Sequence, residues 1–111
     1  MKATIWHNPL CSKSREALAL LQDAGAEVAV FEYLKQPLSP DDLKRVLARA
    51  GITPRQALRG NEPEAASLED ASDEQIVEAM MLDPILIERP LVETNKGAVL
   101  ARPPELVRDI L

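Results

Sequence analysis

The chain has one cysteine, Cys11, in the stretch "HNPLCSKSR", and three arginines set beside turn-forming residues: Arg59 in "ALRGNE", Arg89 in "IERPLV" and Arg102 in "LARPPE". A thiol becomes a nucleophile when it ionises, and a guanidinium holds a tetrahedral oxyanion through paired N–H groups. The two chemistries combine only if the fold brings these residues together. Taken singly, each arginine reads first as a solvated surface residue and Cys11 as a small buried hydrophobe. Arg89 and Arg102 stand apart because each adjoins a proline that stiffens the backbone at the end of an expected hairpin strand.

The elements that must position these residues follow from hydrophobic spacing. "KATIW" has the β-branched and aromatic content of a strand, and "HNP" breaks it. Ala17, Leu18, Leu20, Leu21 and Ala24 form the stripe of an amphipathic helix that stops at Gly25, and "EVAVFEYL" reads as a second strand. A strand, a helix and a strand joined by short turns make a βαβ unit with parallel strands and a right-handed crossover. Ser39, Pro40 and two acids open a helix whose apolar face is Leu43, Val46, Leu47 and Ala50, with Gly51 as its stop. A short helix is expected at residues 54–58, followed by an acidic surface stretch from Glu62 to Glu74. Ser72 and Gln75 make a capping box for a helix carrying Ile76, Val77, Met80 and Met81, with both methionines expected in the core or facing a partner. "RPLVET" and "GAVLAR" around "NKG" make a hairpin, and "PPELVRDIL" a last helix. The order β-α-β, helices, then β-β-α is that of an α/β thioredoxin-like fold with a helical insertion between its halves, and residues 1–111 are expected to form that single domain.

Cys11 therefore lies between the end of the first strand and the start of the first helix. Unpaired N–H groups and the helix dipole favour an anion there and lower a thiol's pKa, and His7, Lys13 and Arg15 can add positive charge. The carboxyl end of a parallel strand is also where open α/β sheets bind ligands. Position alone leaves an inert and an active thiol both open. In "CSKS" Ser14 occupies the place where a dithiol oxidoreductase carries its resolving cysteine. With one cysteine no intramolecular disulfide can form, and no metal site is expected.

Composition bounds the functions. Hydrophobic residues make up 46% of the chain and charged residues 28%, which suits a folded domain, and a net charge of -5 disfavours nonspecific binding to nucleic acid or anionic membrane. No apolar run approaches the ~18–20 residues that span a bilayer, and "MKATIWHNPL" lacks a secretory h-region, so a cytoplasmic location is expected.

In their order and spacing, "HNPLCSKSR", "ALRGNE", "ILIERPLV" and "ARPPE" resemble the glutathione- and glutaredoxin-linked arsenate reductases, the ArsC family. The resemblance covers nearly the whole chain and implies a thioredoxin-like fold and reduction of arsenate to arsenite. It implies that Cys11 is the nucleophile, that Arg59, Arg89 and Arg102 hold the oxyanion, and that His7, Asn8, Ser14 and Arg15 form the substrate-binding loop. It also implies a cis Arg89-Pro90 bond, glutathione as co-substrate, glutaredoxin as partner and no bound cofactor. A glutathione-dependent thiol-disulfide oxidoreductase is an alternative, and a Spx-type transcription-regulatory module, which commonly carries C-x-x-C, is a third reading. His7 orients the loop or stabilises the thiolate as readily as it acts as a base, and Trp6 is expected to pack under the cysteine loop.

Overall fold

The computed structural model describes residues 1–111. Strand β1 (Lys2–Trp6), helix α1 (Ser12–Asp23) and strand β2 (Glu27–Phe31) come first. Helices α2 (Pro40–Ala50) and α3 (Asp73–Leu82) follow, and strands β3 (Leu91–Thr94) and β4 (Gly97–Leu100) precede a terminal 3-10 helix, Pro104–Ile110. The strands form one sheet in the order β2-β1-β3-β4. β1 and β2 are parallel, as a helical crossover requires, while β3 runs antiparallel to both β1 and β4. This is the expected thioredoxin-like arrangement, with α2 and α3 inserted between its halves.

The sheet is covered on both faces, and strand alternation decides which residue serves which face. Ala3, Ile5 and Val92 pack with Ala17 and Leu21 of α1 and with Val107 and Ile110 of the terminal helix. Trp6 and Leu91 belong to the opposite cluster with Leu43, Val46 and Leu47 of α2 and Ile76, Val77 and Met80 of α3. Leu43, Val46 and Leu47 are withdrawn from water, each contributing about 1.5–3 kcal/mol. Thr4 and Glu93 are register partners, and Glu93 binds Arg45 and Arg49, which fastens α2 to the sheet through charge as well as apolar contact.

The expected caps are present. The Ser39 hydroxyl accepts from Asp42 N–H, Gly51 closes α2 at φ +70°, and Ser72 and Gln75 form a reciprocal capping box at the start of α3. Three segments differ from expectation. Residues 54–58 form turns rather than a helix, because Leu58 bridges to Ile87 and the flanking backbone bonds there: Arg59 N–H to Leu86 O at 2.7 Å and Glu88 N–H to Ala57 O at 2.7 Å. Strand β2 ends at Phe31, where Tyr33 N–H turns back onto Phe31 O at 3.0 Å. The last helix is a 3-10 helix, and its Ile110 carbonyl accepts the Thr94 hydroxyl at 2.5 Å. No helix is long and apolar enough to cross a membrane.

Candidate active site

Sheet register gathers the site. Trp6 pairs with Phe31 on one side and with Leu91 on the other, and Leu91 pairs with Leu100. The loop after Trp6, the residues before Leu91 and the residues after Leu100 therefore emerge at one edge of the sheet, and with them Cys11, Arg89 and Arg102. Both Arg89-Pro90 and Arg102-Pro103 are cis. Arg59 reaches the same edge through the Leu58 to Ile87 bridge, which ties its backbone to the segment leading into Arg89.

The loop from His7 to Cys11 is held by its own polar groups. His7 N–H donates to Phe31 O at 2.8 Å, Cys11 N–H to Asn8 O at 3.0 Å, and Leu10 N–H to the Asn8 Oδ1 at 3.0 Å. The fully buried Ser14 hydroxyl accepts from Asn8 N–H at 3.1 Å and lies 2.6 Å from His7 Nδ1. No other acceptor takes the serine proton, so we assign Ser14 O–H as donor to Nδ1, which leaves the proton of the neutral imidazole on Nε2. Arg15 clasps the loop from outside, Nη1 to Pro9 O at 2.8 Å. Trp6 is buried beside this loop, edge-on to Phe31 with ring centroids 5.1 Å apart.

Cys11 is the N-cap of α1, in extended backbone. Burial pushes its thiol up, but the N–H groups of Ser14 and Lys13 and the Arg89 guanidinium favour the thiolate, and the net direction is down from the ordinary value. Arg102 Nη1 stands 3.9 Å from Sγ and donates to Arg89 O at 3.0 Å. Positive charge thus reaches the thiol from Arg89 and Arg102 rather than from His7, Lys13 or Arg15. Burial lowers the His7 pKa, so the ring is neutral at pH 7, and Lys13 faces Glu16 at 4.0 Å.

Arg59 and Arg89 are mostly buried and each has one acid neighbour. Arg59 Nε lies 3.2 Å from Glu62 Oε1, and Arg89 Nη1 lies 2.9 Å from Glu88 Oε1. Glu62 is therefore not simply part of a solvated acidic face. The Nε of Arg89 is sealed from solvent without a hydrogen-bond partner, and that of Arg59, equally sealed, has only the Glu62 carboxylate beside it. Buried N–H donors of this kind are costly unless something accepts from them. The guanidinium that an anion beside Cys11 would meet is that of Arg102, which stands next to Sγ.

A model described as the ArsC family matches residues 6–110. The chain belongs to the ArsC family. An arsenate reductase of Rhizobium meliloti is 46% identical over the whole chain and 82% of that protein's length. One from Escherichia coli is 45% identical over 97% of this chain and 79% of its own. Among solved structures, an arsenate reductase from Vibrio cholerae superposes with a TM-score of 0.93 at 41% identity, covering all of this chain and 98% of its own.

In this ArsC chain Cys11, Arg89 and Arg102 share one edge of the sheet, and Arg59 is tied to the segment leading into Arg89. His7, Asn8 and Ser14 bond chiefly to one another and to the loop backbone, which makes them supports of the cysteine loop, and the exposed Arg15 braces it. Sequence reasoning passed over Tyr33 and Glu88. The available signals were position only: Tyr33 follows the second parallel strand, and Glu88 precedes Arg89.

Proposed function

We propose that this chain is a cytoplasmic arsenate reductase that takes its electrons from glutathione and is reset by glutaredoxin. The observation that carries the reading is Cys11 at the start of α1 with Arg102 Nη1 3.9 Å from its sulfur and the Arg89 guanidinium acting on the same thiol. Guanidinium groups and helix N–H groups together offset the charge of arsenate and of the negative charge that develops during attack.

The Cys11 thiolate attacks As(V), a sulfur–arsenic bond forms, and one arsenic oxygen leaves as water after protonation. A glutathione thiolate then attacks Cys11 sulfur in the adduct. A sulfur–sulfur bond forms, the sulfur–arsenic bond breaks, and its electron pair passes to arsenic, which departs as As(III). Two thiols have been oxidised and one arsenic reduced by two electrons. A glutaredoxin thiolate attacks the glutathione sulfur of the resulting Cys11–glutathione disulfide, so that a glutaredoxin–glutathione disulfide forms and Cys11 leaves as a thiolate. The lone cysteine supports an external thiol, because Ser14, at the resolving position, is a buried hydroxyl bonded to His7. Turnover by glutathione and glutaredoxin needs a reducing compartment, which is the basis of the cytoplasmic reading.

The decisive assay is arsenate-dependent NADPH oxidation with glutathione, glutaredoxin and glutathione reductase. Wild type should turn over, Cys11→Ser should be inactive, and Arg89→Ala should be strongly impaired. Equal rates in all three would sink the assignment. A protein that instead clears glutathionylated substrates at a rate independent of Arg59 and Arg89, with arsenate at background, would be a thiol-disulfide oxidoreductase.

A further inference from the structure

Tyr33 is the only tyrosine of the chain and only 1% exposed. It lies just beyond β2, whose last residue, Phe31, pairs with Trp6 at the end of β1. Phe31 O accepts from both His7 N–H at 2.8 Å and Tyr33 N–H at 3.0 Å, so one carbonyl anchors the root of the cysteine loop and the backbone of Tyr33. Tyr33 shares its core cluster with Ala57, Leu86, Ile87 and Leu91, the segments that carry Arg59 and Arg89. The phenol oxygen makes no hydrogen bond within the chain, and unlike Nε of Arg59 and Arg89 it is not sealed from the surface.

A phenol whose ring is buried and whose hydroxyl, open at the surface, bonds to nothing in the chain leaves a donor free for a ligand. Resting on the oxyanion reading above, we propose that Tyr33 contacts the substrate, its hydroxyl donating a hydrogen bond to an oxygen of the arsenate held by Arg59, Arg89 and Arg102. The charges that act on the phenol are those of Arg89, Arg59, Cys11 and Glu88, which sets its oxygen within the field of the site. Burial pushes its pKa up to about 12, so the phenol keeps the proton it would donate. The three arginines supply charge, and Tyr33 adds a neutral donor of fixed direction.

Because there is one tyrosine, 13Cζ-labelled protein gives a single assignable resonance. Arsenate should shift it, with the same midpoint at which arsenate protects Cys11 from iodoacetamide. In Tyr33→Phe, protection normalised to that variant's own rate without arsenate should require about 10-fold more arsenate or higher, the order expected for one hydrogen bond to a charged group. A resonance that stays still while Cys11 is protected would overturn the proposal, as would unchanged protection in a folded Tyr33→Phe protein. If that variant melts out, the wild-type resonance decides alone. Wild-type Cys11 left unprotected by arsenate would overturn the oxyanion reading itself, and this proposal with it.

Discussion

Arg102 donates from Nη1 to the backbone oxygen of Arg89 at 3.0 Å. The side chain that stands beside the sulfur is thereby fixed by the backbone of a second arginine of the same site, across the mouth of the β3–β4 hairpin. One guanidinium is spent partly on structure, and the Nη1 that holds Arg89 O is also the nitrogen beside the Cys11 sulfur.

This relationship predicts that Arg102→Lys will not substitute for arginine. An ammonium carries the charge but cannot hold Arg89 O and point a second donor at the substrate in one rigid plane. Arsenate-dependent kcat/KM should fall about 100-fold in Arg102→Ala, in the range seen when one preorganised donor is removed, and Arg102→Lys should recover little of it. Steady-state kinetics check this, and full activity in the lysine variant would contradict it.

Cys11 should titrate below the ordinary thiol value, because the Ser14 and Lys13 N–H groups and Arg89 outweigh burial. The iodoacetamide rate plotted against pH reports the thiolate directly. Arg89→Ala removes a charge that favours the thiolate, so its midpoint should move up. A midpoint that moves down would refute the assigned role of Arg89.

Ser14→Ala leaves Asn8 N–H without its acceptor and His7 Nδ1 without its donor, both in a buried setting. The expected loss is about 1–3 kcal/mol of unfolding free energy, measured in urea, together with a slower, less pH-dependent alkylation of Cys11 as the loop loosens. The His7 resonances in wild type should titrate below 6.5, since burial is the dominant influence.

Glu93 links acid stability to the attachment of α2. Burial pushes its carboxyl up, but hydrogen bonds from Arg45 and Arg49 outweigh this and the net direction is down. Its folded pKa lies below the unfolded value, so the stabilisation is complete above ~4.3 and is lost as pH falls through the folded value. Glu93→Gln should be less stable than wild type at pH 7, with the difference shrinking as the pH falls below about 5. A difference constant across that range would exclude the linkage.

Much of this protein is written locally. The stripe of α1, the Ser39 and Ser72 caps, the Gly51 stop and the thiol at a helix start are all contained within a few neighbouring residues. The turn at residues 54–58 was not legible, because its helical propensity loses to a bridge with Ile87, some thirty positions on. The meeting of the site residues belongs to tertiary structure in the same way. The pairings of Trp6 with Phe31, of Trp6 with Leu91 and of Leu91 with Leu100 bring Tyr33, Arg89 and Arg102 to the edge where Cys11 emerges. Sequence order by itself determined a thiol at a helix start and two arginines, Arg89 and Arg102, each set beside a proline. Which segments meet at the Cys11 edge, the turn carrying Tyr33 included, was decided by strand register, because hydrogen-bonded pairing closes chain separations of this length.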